Sequence, residues 1–338
     1  MRPIIFEIGD VTLHHLVLWV MGIFAILFFS FAQSYGQAKK WKFSQVALLG
    51  LAFIVVGDII VYFVYKALNL PASFTVHNVN IYAYGLMLTI AFIVGTIRTV
   101  RVAAKENISA EIILDMVTFI IIGAIIGARL VYVILKPDQY LSNLIDIVYI
   151  TQGGLSVHGG VIGAMLAAWI YTAYRKLNYW HYADLFAPAL ALGLTFGRIG
   201  CYLNGCCFGV LCKNPDAWYA ISFPENGHTG ITADPRHPAQ LYEAILSLVI
   251  FFFLRSAYKN RKFDGHIFLL WICLYSAARF LQEFYRFEAS SDVIFGFVTI
   301  AQLASVILFF ISGAIILEMK KRIRMREQAS LVEKEKTE

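Results

Sequence analysis

Apolar residues gather in long unbroken runs, near 11–32, 46–66, 79–97, 112–135, 156–174, 183–200, 239–254, 266–285 and 294–317. A helix that crosses a bilayer needs about 20 such residues, so these runs predict about nine membrane helices. The runs are hydrophobic all round, whereas an outer-membrane barrel would read as short alternating strands. The expected fold class is all-α, a polytopic helical membrane protein. The first run follows Glu7 and Asp10 rather than a basic start and is long enough to span, so no cleavable signal peptide is expected.

The segments between the runs alternate in charge. Lys39, Lys40 and Lys42 follow the first run; Arg98, Arg101 and Lys105 follow the third. Arg175 and Lys176 follow the fifth, Arg255, Lys259, Arg261 and Lys262 the seventh, and a basic tail from Lys320 to Lys336 the last. The intervening segments carry at most Lys136, or Lys213 with Arg236, or Arg286. Basic loops stay in the cytoplasm, which predicts the N-terminus outside and the C-terminus cytoplasmic.

This orientation organises the polar residues inside the runs. Arg129, His158, Arg198, Glu243, Arg279, Glu283 and Arg286 all fall toward the outer side. A lone boundary arginine can snorkel, but arginines sharing one side at bilayer depth point to one common site. Only Asp58 and Asp115 lie elsewhere, which argues against a transporter with a polar path through both leaflets.

Composition sharpens this picture. The chain of 338 residues is 59% hydrophobic and 15% charged, with a mean hydropathy of +0.68. The net charge of +6 has its source in the basic loops and gives no reason to expect nucleic acid. Neither a long linker nor a low-complexity stretch is evident. Phe6–Leu13 and Phe74–Ile81 align without gaps, each ahead of an apolar run, which fits either an appended helix pair or convergent membrane-entry patterning.

Candidate chemistry lies in four stretches. Gly153–Gly160 (GGLSVHGG) opens the fifth run, where Gly159 and Gly160 leave backbone N–H groups free and the helix dipole favours an anion. His158 in the same stretch can donate or take a proton near neutral pH. Arg198 and Arg279 have planar forks suited to phosphate, and in the outer leaflet the abundant phosphate is a phospholipid head group. Glycines 123 and 127 are spaced for helix packing, with Arg129 as a further contributor to the anion site. Glu243, a turn and a half into the seventh run, needs a cation, and an arginine of this set is the expected partner.

Cys201, Cys206, Cys207 and Cys212 cluster in the outer segment 201–238, and Cys273 stands apart. An oxidising exterior predicts one or two disulfides among the four, with three full pairings open. Even with His228 or His237 added, the spacing matches no standard zinc pattern, and neither a metal nor a cofactor is expected.

These residues resemble those of the bacterial prolipoprotein diacylglyceryl transferase family. The matching stretches are Tyr84–Met87, Gly123–Tyr132, Gly153–Gly160, Asp184–Pro188, Gly197–Gly205, His237–Glu243 and Tyr275–Arg286, in family order over about 74–318. The resemblance implies a core of seven membrane helices over 74–318 with outer loop 201–238, an extra N-terminal helix pair in 1–73, and a charged cytoplasmic tail in 319–338. It implies an enzyme of the bacterial inner membrane, its active site facing outward. Such an enzyme moves the diacylglyceryl group of phosphatidylglycerol onto the lipobox cysteine thiol of a prolipoprotein, releasing glycerol phosphate. By the same resemblance Arg198 binds the phosphate, His158 and Arg279 are essential, and Tyr84, Asn204, Glu243 and Tyr275 support them. The partners implied are phosphatidylglycerol, the prolipoprotein signal peptide with its lipobox cysteine, and membrane lipid.

The chain departs from the family where Cys201 replaces a usual Asn and Cys206 a common Glu, and in its double cysteine Cys206-Cys207. Two other readings therefore stay open: a family paralogue acting on another acceptor, and a membrane thiol–disulfide or metal-binding protein built on Cys201, Cys206, Cys207 and Cys212.

Overall fold

The computed structural model describes residues 4–8, 11–12, 75–76, 79–140, 144–147, 153–223, 234–286, 293–294 and 298–337. The predicted runs 11–32 and 46–66 lie almost entirely outside the described residues. The chain divides into two units, residues 2–83 and residues 84–338 with Met1.

The first unit holds four short strands: β1 (Ile4–Ile8), β2 (Val11–Thr12), β3 (Thr75–Val76) and β4 (Val79–Tyr82). β1 pairs antiparallel with β4, and β2 with β3. Glu7 opposes Asn80 and Thr12 opposes Thr75; Ile8 opposes Val79 and Val11 opposes Val76. The gap-free alignment of Phe6–Leu13 with Phe74–Ile81 maps each of these pairs onto the other. Equivalent positions thus exchange partners about a local two-fold, a register that convergent entry patterning alone does not require.

The second unit is helical. Its helices are α1 (Ala83–Lys105), α2 (Ala110–Leu135), α3 (Val157–Tyr174), α4 (Tyr179–Asn204), α5 (Ala239–Ala257), α6 (His266–Glu283) and α7 (Ile300–Thr337). Among the described residues six helices, all but α6, are long and apolar enough to cross a membrane. The chain is a multi-pass helical membrane protein. α6 falls outside that set because its 18 residues include Arg279, Gln282 and Glu283, the cost of supplying the site.

Helix ends follow from local chemistry. Ser109, Ser156 and Asn178 cap α2, α3 and α4 by accepting from backbone N–H groups of Glu111, Gly159 and Trp180. Asn107 and Lys176 take left-handed backbone where α1 and α3 turn back. Asp184, fully buried, accepts from the N–H groups of Gly265 (2.9 Å) and Phe268 (2.8 Å), so it caps α6 from another helix. This explains the Asp184 stretch as structural. The expected tail at 319–338 continues α7 as helix to Thr337, because its Glu, Lys, Arg and Met residues are good helix formers.

The apolar core lies toward the ends of the helices that carry the basic loops. Ile113, Met116, Leu185, Leu254 and Ile267 are fully buried there. Beside it Glu106 accepts from Tyr258 Oη (2.8 Å) and both terminal nitrogens of Arg261 (2.8 and 3.0 Å), and meets His181 at 3.0 Å. Ile122, Ile126, Val161, Trp169, Val249 and Phe253 are exposed, as a lipid-facing surface requires.

The opposite ends of the helices are polar and carry the remaining short strands, β5 (Ile221–Ser222), β6 (Pro235–Arg236), β7 (Val293–Ile294) and β8 (Val298–Thr299). An all-α expectation misses these pairs because each is only two residues long.

Candidate active site

Three helix ends are tied together by one strap. After α4 the segment Gly209–Cys212 runs between the start of α5 and the end of α6. Gly209 N–H donates to His237 O (2.8 Å), Val210 N–H to Tyr285 O (3.0 Å) and Cys212 N–H to Pro235 O (3.0 Å). A side chain at Gly209 would meet the carbonyls of Tyr285 and His237, so glycine is required for this close approach.

The strap holds the charged side chains in one place. Arg198 Nε on α4 meets Glu243 Oε2 on α5 at 2.9 Å, with Glu243 almost fully buried. Gln282, its amide oriented by its partners, donates to the same Oε2 at 3.2 Å. On α6, Arg279 Nη1 approaches Glu283 Oε2 at 2.6 Å, and Arg286 Nε lies 4.0 Å from that oxygen. Thr299 Oγ1, at the head of α7, donates to Glu283 Oε1 at 3.3 Å. Tyr275 lies beside Glu243, Arg198 and Arg279, and its ring stacks on Trp271.

Two features of this group favour an anion with hydroxyl groups. Three guanidiniums gather at this end of the helices, with planar forks suited to an anion. Glu243 Oε1 is buried without a hydrogen-bond partner among the described residues, and a buried unpaired acceptor calls for a donor.

The other expected site residues divide. Tyr84, at the start of α1, lies against Gly200 and within electrostatic range of Arg198 and Cys201. Asn204 Nδ2 donates to Cys206 Sγ at 3.6 Å. His158 is exposed in the first turn of α3 and makes no hydrogen bond or ion pair with Arg198 or Arg279 among the described residues.

Arg129 has another destination. It is buried, and donates to the carbonyls of Asp146, Ile147, Gly153 and Gly154. It anchors the chain that leads into α3. Gly159 is also buried, packed on Gly127 and Val131, and Gly163 packs on Gly123. These glycines let α2 and α3 approach closely. Gly160 has ordinary clearance from Ala124 and Ala128.

The cysteines correct the disulfide expectation. All five are free thiols, and only Cys201, Cys206 and Cys207 gather, their sulfurs within 4.8 Å of one another. Cys212 follows the strap away from them, and His228 lies outside the described residues. The Cys206 thiol is pushed below the ordinary thiol range by hydrogen bonds with Cys201 and Cys207, against the effect of burial, with Asn204 and Arg198 adding to the lowering. Gln240 and Gln282 went unmarked in the sequence. Gln240 is fully buried and holds Cys206 O at 2.7 Å. Its only sequence signal is its place inside the His237–Glu243 stretch.

Between α5 and α6 a cleft of about 470 Å³ opens, lined by Tyr219, His237, Tyr242 and Tyr285 among others. It adjoins Gln282 and gives the charged group an aromatic flank.

Residues 71–318 match the prolipoprotein diacylglyceryl transferase family. A Finegoldia magna protein named phosphatidylglycerol–prolipoprotein diacylglyceryl transferase is 33% identical over 254 residues, 74% of this chain and 96% of that protein. A Clostridium botulinum (strain Langeland) protein of the same name is 35% identical over 253 residues, 72% of this chain and 97% of its own. A third, from Bordetella bronchiseptica, is 33% identical over 221 residues, 64% and 82% of the two chains.

Proposed function

The chain belongs to the prolipoprotein diacylglyceryl transferase family, and from that premise we propose that it transfers a diacylglyceryl group from phosphatidylglycerol to the lipobox cysteine thiol of a prolipoprotein. The single observation that carries this reading is the Arg198–Glu243 pair beside Arg279, Glu283 and Arg286 at one end of the helices.

In this reading Arg198 holds the lipid phosphate and Glu243 Oε2 holds Arg198. Glu243 Oε1 accepts from a head-group hydroxyl, which answers its unpaired state. Sulfur attacks the glyceryl carbon, the carbon–oxygen bond to phosphate breaks, and glycerol phosphate departs. Arg279 stabilises the charge that develops on the leaving oxygen. A free thiol has a pKa of about 8.5 and must lose its proton to attack. His158, exposed at the start of α3, is the proposed proton carrier. Tyr84, Asn204 and Tyr275 line the site. Gly159, Gly160 and Arg129 shape the chain around it.

The same reading proposes the bacterial inner membrane, with the site toward the outer leaflet. Support comes from the basic loops, which lie at the ends of the helices away from the charged group. It also proposes nine membrane helices, an extra N-terminal pair in 1–73 and a core of seven in 74–318, followed by a cytoplasmic tail in 319–338.

Complementation tests it. A strain depleted of its own diacylglyceryl transferase receives the wild-type chain or Arg198→Ala. Rescue by wild type alone is expected; failure of an expressed, inserted wild type would reject the reading.

A further inference from the structure

The three-thiol cluster is not used by the reaction as described above. Cys201 lies in the last turn of α4; Cys206 and Cys207 follow the left-handed turn at Gly205 (φ 72°). That turn is closed by Cys206 N–H donating to Cys201 O at 3.1 Å. Cys207 itself has φ 62°, a left-handed conformation that L side chains rarely adopt. The buried Gln240 pins the loop through Cys206 O. Helix end, left-handed residue and pin together point three sulfurs at one volume.

The dimensions suit a soft cation. Zinc–sulfur bonds of about 2.3 Å in a tetrahedron hold the sulfurs about 3.8 Å apart. Sulfurs already within 4.8 Å of one another reach that spacing by small side-chain rotations. A disulfide would join two of the three and strand the last; a metal employs all three. The sequence spacing hides this site, since it is set by the turn at Gly205 rather than by a zinc-finger pattern.

Three protein ligands leave a fourth position open, as catalytic rather than structural zinc sites do. Arg198, proposed to hold the phosphate, lies one turn before Cys201 on α4. A thiol bound to such an ion is deprotonated outright. We propose that Cys201, Cys206 and Cys207 bind one zinc-class divalent cation whose open position takes the acceptor thiol as thiolate. The role of the open position rests on the transferase reading; the metal site does not. On coordination the acceptor sulfur releases its proton to solvent. Its sulfur–metal bond gives way to the sulfur–carbon bond as the carbon–oxygen bond to phosphate breaks, with no change of oxidation state.

Cobalt(II) is the probe, because tetrahedral thiolate coordination gives it visible absorption bands. The full chain, in detergent and reduced, is titrated with cobalt and then zinc, and its free thiols are counted. One equivalent with thiolate bands, displaced by zinc, is expected. Loss of an outer-shell partner already lowers metal affinity about 10–100-fold, so Cys206→Ser or Cys207→Ser should weaken binding further than that. Cys273→Ser, outside the cluster, should keep the bands and controls for folding. A short apolar peptide with one cysteine should shift the bands, and its serine counterpart should not. Absent bands with all thiols reduced would overturn the site, whatever the transfer assay gives. Bands that ignore the cysteine peptide would overturn the open-position role. Bands without lipid transfer would instead count against the transferase reading alone.

Discussion

Arg198 and Glu243 meet at 2.9 Å from two different helices, and the carboxylate keeps one oxygen without a hydrogen-bond partner among the described residues. The pair therefore does more than neutralise itself: one oxygen aims the guanidinium and the other faces a donor not supplied by those residues. Replacing Glu243 with Gln removes a charge-assisted hydrogen bond worth about 1.5–3 kcal/mol. A fall of about 10–100-fold in transfer rate is expected, read in a detergent assay with phosphatidylglycerol, together with a lower melting temperature, since the buried Arg198 loses its counter-charge.

Arg198 itself should be less replaceable. Loss of one preorganised donor to a developing anion typically costs about 10²–10³ in rate. Arg198→Ala should fall at least that far. Arg198→Lys should recover little, because a point charge does not reproduce the planar fork. Recovery of half the wild-type rate by lysine would remove bidentate phosphate recognition from this residue.

Arg129 separates positioning from binding. Its donors meet four backbone carbonyls, so Arg129→Lys should loosen the chain between α2 and α3. Limited proteolysis in detergent should cut that segment faster, with transfer reduced in parallel. Unchanged cleavage together with weakened lipid binding would return Arg129 to the phosphate site.

The sequence made the charged group legible because its members are intrinsically costly in a membrane and fall on one side under the basic-loop alternation. It even supplied the partner of Glu243, since a buried carboxylate needs a cation. Arg129 was not legible, because its acceptors are carbonyls that every residue carries. The free, grouped thiols are not legible in the sequence, because their grouping depends on a turn at Gly205 that spacing does not encode. The paired motifs Phe6–Leu13 and Phe74–Ile81 were visible as a likeness, but their register emerged only from strand pairing. The two-residue strands at the polar end were invisible because no periodicity can develop in so short a stretch.

The close approach of α2 and α3 gives a stability test. A methyl at Gly163 would overlap the carbonyl of Gly123, whereas one at Gly193 would meet nothing within 4 Å. Overpacking costs about 1–3 kcal/mol, so Gly163→Ala should lower the melting temperature in detergent. Gly193→Ala should leave it equal or raise it, since alanine at a compatible helical site adds about 0.4–1 kcal/mol. Equal melting for both variants would mean that α2 and α3 are not held by glycine contact.

The far end of the helices gives a pH test. Burial raises the Glu106 carboxyl, but hydrogen bonds from Arg261 and Tyr258 outweigh it and hold the group below the ordinary carboxylate range. A carboxylate whose folded pKa is lowered contributes its stability in full above the unfolded value, about 4.3. That contribution disappears as pH falls through the folded value. Melting temperature should therefore decline as pH drops below about 4.3, through the loss of the link between α1 and the α5–α6 turn. Glu106→Gln should lower stability at neutral pH, where Arg261 loses its counter-charge, and should flatten the acid decline. A wild-type decline as steep in the variant would assign the acid sensitivity to other carboxylates.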